Sequence, residues 1–194
     1  METHIPAEGV TLTVNLPHDD APTGSIERDN AKKTDLGRFA WRQIGVIRTP
    51  FTDPEGMPIQ PCGAEGIGGI VEVYPEYAAG LKDIEGFSRI HLIYYFHRCF
   101  GWSAELVPFL DNQARGVFAT RAPRRPNPIG LSSVRLVARE GDSLVVEGVD
   151  MLDGTPLIDI KPYIPAFDSY PGERCGWFPE DSDISMARSD GRFL

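Results

Sequence analysis

Along the chain from residue 43, apolar and polar positions change over with a period close to two. Residues 43–48 alternate in this way and stop at Thr49-Pro50, and a period of two is the signature of a strand with one side chain in and the next out. Residues 69–74 read as a second strand, ended by Pro75. Residues 89–96 are rich in β-branched and aromatic side chains, which suits a strand buried on both faces. Residues 131–139 and 143–149 flank Glu140-Gly141-Asp142, a hairpin signal. Residues 157–160 give one more short strand before Lys161-Pro162, and residues 116–120 form a short apolar run. The best helix candidate is 76–84, with Pro75 before its start and Gly86 after its end. Strands predominate and no strand–helix–strand alternation appears. The predicted fold class is mainly β: a small β-barrel with one or two short helices and irregular terminal extensions.

This pattern divides the chain into three segments. Residues 1–37 are a polar arm containing Pro6, Pro17 and Pro22. It is expected to be a loosely held extension, in which residues 10–16 alternate well enough to pair as an edge strand. Residues 38–168 are the barrel domain. Residues 169–194 are an irregular tail, with Trp177 and Phe178 tucked onto a surface. A chain of 194 residues buries roughly 70% of its unfolded surface, so it needs no disulfide or metal to hold a core. With 41% hydrophobic and 24% charged residues, full disorder, collagen and coiled coil are excluded. No apolar run is long enough to cross a membrane, and the N-terminus lacks the basic and apolar runs of a secretory signal. Cys62, Cys99 and Cys175 are too few and too scattered for a disulfide framework or a cysteine-rich zinc site. A reducing, cytoplasmic setting is expected.

The net charge of −9 argues against a general nucleic-acid coat protein, but the charges are uneven. Residues 112–139 contain no Asp or Glu and carry Arg115, Arg121, Arg124, Arg125, Arg135 and Arg139. Within them, the loop from Thr120 to Gly130 has prolines at 123, 126 and 128, which prevent a regular helix. Such a rigid loop fixes Arg121, Arg124 and Arg125, and planar guanidiniums grip phosphate or carboxylate with paired hydrogen bonds. The competing reading is a proline-stiffened surface turn with solvated arginines. Two more polar loops stand out. One is Met151-Leu-Asp-Gly-Thr-Pro156, where Asp153-Gly154 is a turn signal. The other is Phe96-His97-Arg98, at the end of the strand over 89–96. His97 has no second His or Cys at ligand spacing, so no metal is expected, and His91 reads as core or barrel lining. The long Gly- and Pro-rich loop 51–69 also reads as a site loop. Gly66-Ile-Gly-Gly69 precedes a strand and opens no helix, so it is not a dinucleotide fingerprint. Ser132 and Ser133 lack the Gly-x-Ser-x-Gly elbow. The residues alone predict a barrel with a basic, proline-rigid site and no metal; they name no reaction.

An ordered set of motifs adds a resemblance. Gly45-Val-Ile-Arg-Thr-Pro-Phe51, Gly86-Phe-Ser88, Phe96-His97, Gly116-Val-Phe-Ala-Thr-Arg121, Arg125-Pro-Asn-Pro-Ile-Gly130, Asp153-Gly-Thr-Pro156 and Asp159-Ile-Lys-Pro-Tyr163 occur in that order. Together they resemble the TrmO family, also called the YaeB or TsaA-like family, over residues 44–167. The resemblance implies a small β-barrel methyltransferase that uses S-adenosylmethionine without a Rossmann domain. It implies methylation of N6 of threonylcarbamoyladenosine at position 37 of tRNA, by a homodimer. By similarity the cofactor is held by Pro58, Ile59 and Gln60, by His97 and Arg98, and by Arg121 and Leu131. The turn of Leu152, Asp153, Gly154 and Thr155 completes that set. Arg124, Arg125 and Asn127 are the expected substrate contacts, holding the threonyl carboxylate or neighbouring phosphates. No catalytic base is assigned. Two alternatives stand beside this reading: a barrel methyltransferase acting on a small molecule, and a non-catalytic module that keeps the S-adenosylmethionine pocket.

Overall fold

β1 (Gly45–Arg48) pairs antiparallel with β2 (Gly68–Val73), and the ladder then runs through strands distant in sequence. The others are β3 (Arg89–Tyr95), β4 (Glu105–Leu106), β5 (Arg115–Gly116), β6 (Ile129–Glu140), β7 (Ser143–Glu147) and β8 (Thr155–Pro162). Six of them close into a barrel in the order β1-β2-β7-β6-β3-β8, while β4 and β5 pair by themselves. Closure satisfies the backbone groups that an open edge would leave exposed. The computed structural model describes residues 41–178 and 184–193. The chain divides into the units Met1–Arg42 and Gln43–Leu194, and all of these strands belong to the second. The arm over 1–37 and the alternating piece 10–16 lie outside the described residues.

The barrel interior is where the period of two is spent. Ile47, Val71, Ile90, Leu92, Val134 and Leu144 are fully buried. Registers Ile90↔Val134, Leu92↔Ser132 and Tyr94↔Gly130 bring the inward sides of β3 and β6 together. The β6–β7 hairpin turns at Gly141, whose φ of 64° lies in the left-handed region that glycine adopts without steric cost.

The structure departs from the sequence pattern along β3, including His91, and over residues 76–84. β3 buries only its inward residues, because a barrel strand has one interior face. Its outward side, His91, Ile93 and Tyr95, is half-buried. His91 is therefore not core. Its Nδ1 lies 2.8 Å from Ser133 Oγ, its Nε2 lies 3.5 Å from Asp168 of the short helix α1 (Pro165–Asp168), and its ring meets Tyr163 edge-on. The segment 76–84 forms no α-helix but two 3-10 turns, Ala78–Leu81 and Ile84–Gly86. Asp83 between them has a φ of 66°, which a right-handed helix cannot contain. The apolar run 116–120 is a 3-10 turn, Val117–Ala119, following the two-residue β5.

The tail folds back on the barrel. Trp177 Nε1 donates to Ala119 O at 2.7 Å under the Arg115 guanidinium. Ser189 N donates to Met57 O and Gly56 N to Ser189 O, and Phe193 is buried against Phe109. Among the described residues no helix is long and apolar enough to cross a membrane.

Candidate functional site

Where β3 ends and β6 and β8 begin, the barrel opens into a cavity of about 860 Å³, within the size range of small-molecule sites. Segments far apart in sequence wall it. Pro58, Ile59 and Gln60 come from the long loop after β1, and Phe96, His97 and Arg98 from the end of β3. Thr120, Arg121 and Arg125 come from the proline loop, and Leu152 and Thr155 from the turn before β8. Leu131 of β6 and the returning tail residues Trp177 and Phe193 complete it. The loops singled out in the sequence thus meet in one place.

Four of the expected residues are not part of the lining. Asp153 stands behind it: its Oδ1 accepts from Thr49 N at 3.1 Å and its own N donates to Phe51 O at 2.7 Å. Gly154 N donates to Ile47 O. These contacts lash the turn to β1, so both residues shape the wall from outside. Arg124 and Asn127 also lie off the lining. Arg125 lines the cavity but spends donors on its own loop, with Nη1 bonded to Thr120 O at 2.9 Å and Ala122 O at 3.2 Å. A proline loop has few backbone donors for its carbonyls, and Arg125 supplies them.

The acid-free stretch is neutralised in space along the strands. Arg115 pairs with Asp111, Arg135 with Glu147 and Arg139 with Glu85. Arg121 differs: its Nη1 donates to the neutral Gln60 Oε1 at 3.0 Å, and its side chain is exposed at the rim. Arg98 Nη1 donates to Thr52 O at 2.8 Å. His97 Nδ1 lies 3.5 Å from Thr155 Oγ1. Burial, reinforced by the Arg98 charge and opposed by Asp153, holds its pKa below the usual imidazole value, so the ring is neutral at pH 7. Among the described residues no group of three or more His, Cys, Asp or Glu is placed to hold a metal.

The floor carries residues that the sequence motifs do not single out. Tyr94 Oη lies 3.0 Å from Ser132 Oγ, which donates to Asp150 Oδ1 at 2.6 Å. All three are buried, and Tyr94 and Asp150 line the cavity. Burial pushes the Asp150 carboxyl up to about 7, against the Ser132 hydrogen bond and the Arg121 charge. Burial, and then the Asp150 charge, pushes the Tyr94 phenol well above its usual range. Gly130 makes room for this arrangement, since a Cβ there would sit 2.2 Å from the Tyr94 ring. Phase was an available signal only for Ser132, which falls on the inward parity of Val134 and Leu136; Asp150 lies past the end of β7, where Val149 and Asp150 are both buried.

Residues 46–169, which include most of the barrel and the loops that wall the cavity, match the tRNA-methyltransferase O N-terminal domain. A Pyrococcus abyssi protein named a probable S-adenosyl-L-methionine-binding protein is 53% identical over 157 residues, 80% of this chain and 85% of that protein. The Escherichia coli tRNA (adenine(37)-N6)-methyltransferase is 38% identical over 164 residues, 79% of this chain and 70% of that enzyme. The crystal structure of TrmO from Pseudomonas aeruginosa superposes with a TM-score of 0.62 at 36% identity, covering 74% of this chain. The chain spans 64% of that solved chain. A match through the segments that build the cavity, with relatives this similar over most of the chain, means that it belongs to the tRNA-methyltransferase O family.

Proposed function

We propose that the chain is an S-adenosylmethionine-dependent methyltransferase that modifies N6 of adenosine 37 in tRNA, with threonylcarbamoyladenosine as the substrate nucleoside. The observation that carries this reading is the convergence of the proline loop, the β3 end and the turn before β8 on one cavity with a cationic rim and a polar floor. Its donor set suits the cofactor. Arg121 and Arg98 offer guanidiniums to a carboxylate. Ile59, Phe96 and Leu131 offer apolar surface to a ring. When bound, S-adenosylmethionine supplies a methyl group already activated on sulfur. What remains for the protein is alignment, orientation and handling of one proton.

On this reading Arg124, Arg125 and Asn127 face the substrate's threonyl carboxylate or nearby phosphates from the proline loop. With a net charge of −9, long-range attraction to tRNA is weak, and binding depends on this local surface. The working assembly on this reading is a cytoplasmic homodimer. Phe100, Trp102 and Phe118 are 74%, 59% and 80% exposed, and exposed large apolar side chains are candidates for contact surfaces. Light scattering at micromolar concentration is expected to give the dimer mass.

The deciding experiment is transfer of an isotopically labelled methyl group to tRNA with and without its threonylcarbamoyl group. Label on N6 of position 37 in the modified tRNA is the expected result. Label on both tRNAs alike would remove the threonylcarbamoyl part of the reading. Cofactor binding with no transfer to any tRNA would favour a binding module, in keeping with the name of the Pyrococcus relative.

A further inference from the structure

Tyr94, Ser132 and Asp150 form a hydrogen-bonded chain under the cavity, and its direction can be worked out. A carboxylate only accepts, so Ser132 gives its proton to Asp150 Oδ1 at 2.6 Å. The Ser132 oxygen is then the acceptor for the Tyr94 hydroxyl at 3.0 Å. Both donors therefore point toward Asp150, and the chain ends on a carboxyl that lines the cavity. Tyr94 sits on β3 and Ser132 on β6, so the Asp150 carboxyl, on the segment after β7, is tied to the barrel strands through Ser132. An acid in such a place costs several kcal/mol of desolvation. A neutral side chain would satisfy Ser132 at lower cost.

We propose that Asp150 is the general base that takes the proton from the attacking nitrogen, with Ser132 and Tyr94 as positioning residues. The inference rests on the methyltransferase reading of the cavity. The nitrogen gives its proton to Asp150, and its electron pair forms the bond to the methyl carbon. The carbon–sulfur pair stays on sulfur, which leaves as a neutral thioether. Protonated Asp150 then returns the proton to water through the cavity mouth.

The environment suits that task. Burial pushes the carboxyl up to about 7, and a base works best with a pKa near the working pH. The charged and titratable groups that face it are Tyr94 and Arg121. Tyr94 stays neutral through this range, and Arg121 favours the ionised carboxyl. His97 lines the same cavity and is neutral at pH 7, held down chiefly by burial.

Asp150→Asn keeps the side-chain size and an oxygen for Ser132. Three readouts test it against the wild type: cofactor affinity by calorimetry, the pH profile of single-turnover methyl transfer to tRNA, and infrared titration of the buried carboxyl. The wild-type rate is expected to rise with pH to an inflection near 7, and the carboxyl to titrate at the same pH. In Asp150→Asn the rate is expected to fall at least about 100-fold, with the inflection and the carboxyl signal gone and cofactor affinity within about twofold. Ser132→Ala keeps the base but removes a donor that favours its ionised form, so both midpoints are expected to move to higher pH. Should Asp150→Asn fail to fold, this shift carries the test, and unmoved midpoints overturn the proposal. Equal rates in wild type and Asp150→Asn, or a retained inflection with lost cofactor affinity, would overturn it while leaving the methyltransferase reading intact. No transfer by the wild type to any tRNA would overturn that reading and this proposal together.

Discussion

Along β6 the inward positions run Gly130, Ser132, Val134, Leu136, and along β3, in the opposite direction, they run Tyr94, Leu92, Ile90. One end of the same pair of strands is therefore packed with aliphatic side chains, joined there by Leu144 and Val146 of β7. The other end holds a glycine, a serine, a tyrosine hydroxyl and the Asp150 carboxyl, with Thr155 of β8 alongside. Both ends are buried. At the aliphatic end, packing against neighbours is the whole function of a side chain. At the polar end, each group has its hydrogen-bonding direction fixed and faces a cavity. The aliphatic end holds the frame so that the polar end can keep costly groups in place.

The largest expected effect comes from breaking the aliphatic end. Leu144→Ala removes a fully buried side chain and is expected to lower stability by about 2–5 kcal/mol in chemical denaturation, while cofactor affinity in the folded protein is unchanged. Next comes the polar end's response to pH. The folded Asp150 pKa lies above the ordinary carboxyl value of 3.8, at about 7. Between these values the folded protein holds a proton that the unfolded chain has lost. The contribution is full below about pH 4 and is lost as pH rises through 7, by up to roughly 4 kcal/mol. The wild type is expected to lose more stability than Asp150→Asn between pH 4 and 8, and parallel curves would contradict the assignment.

The strands and the hairpin at Gly141 were legible because alternation and turn chemistry are local signals. So was the meeting of the motif loops, through the resemblance. The segment expected as a helix over 76–84 is instead 3-10 over Ala78–Leu81 and interrupted at Asp83, whose backbone is left-handed, and neither feature has a mark in the sequence. The run 116–120 is too short for its period to separate a strand from a 3-10 turn. The return of residues 184–193 onto Met57 and Phe109 is a long-range docking, and nothing in its composition announces it. Asp150 was hidden for another reason: it lies past the end of β7, where alternation no longer assigns a face, and an acid beside Asp153 in a turn reads as solvated until the barrel closes over it.

Gly130→Ala perturbs the polar end directly. Its Cβ would meet the Tyr94 ring at 2.2 Å, so Tyr94 must shift. The expected cost is about 1–3 kcal/mol, accompanied by a loss of ligand affinity that Leu144→Ala does not show. Arg135→Ala marks the small end of the scale. Its ion pair with Glu147 is half-exposed, and its removal is expected to change stability by no more than about 1 kcal/mol.

Calorimetric titration of S-adenosylmethionine into the wild type, Arg121→Ala and Leu144→Ala tests the division between the two ends most directly. One cofactor is expected to bind per chain. Arg121→Ala is expected to weaken it by roughly ten- to a hundredfold, the worth of one charge-assisted hydrogen bond at about 1.5–3 kcal/mol, and Leu144→Ala to leave it unchanged. Full affinity in Arg121→Ala, or a loss in Leu144→Ala as large as that in Arg121→Ala, would contradict the placement of the site at the polar end.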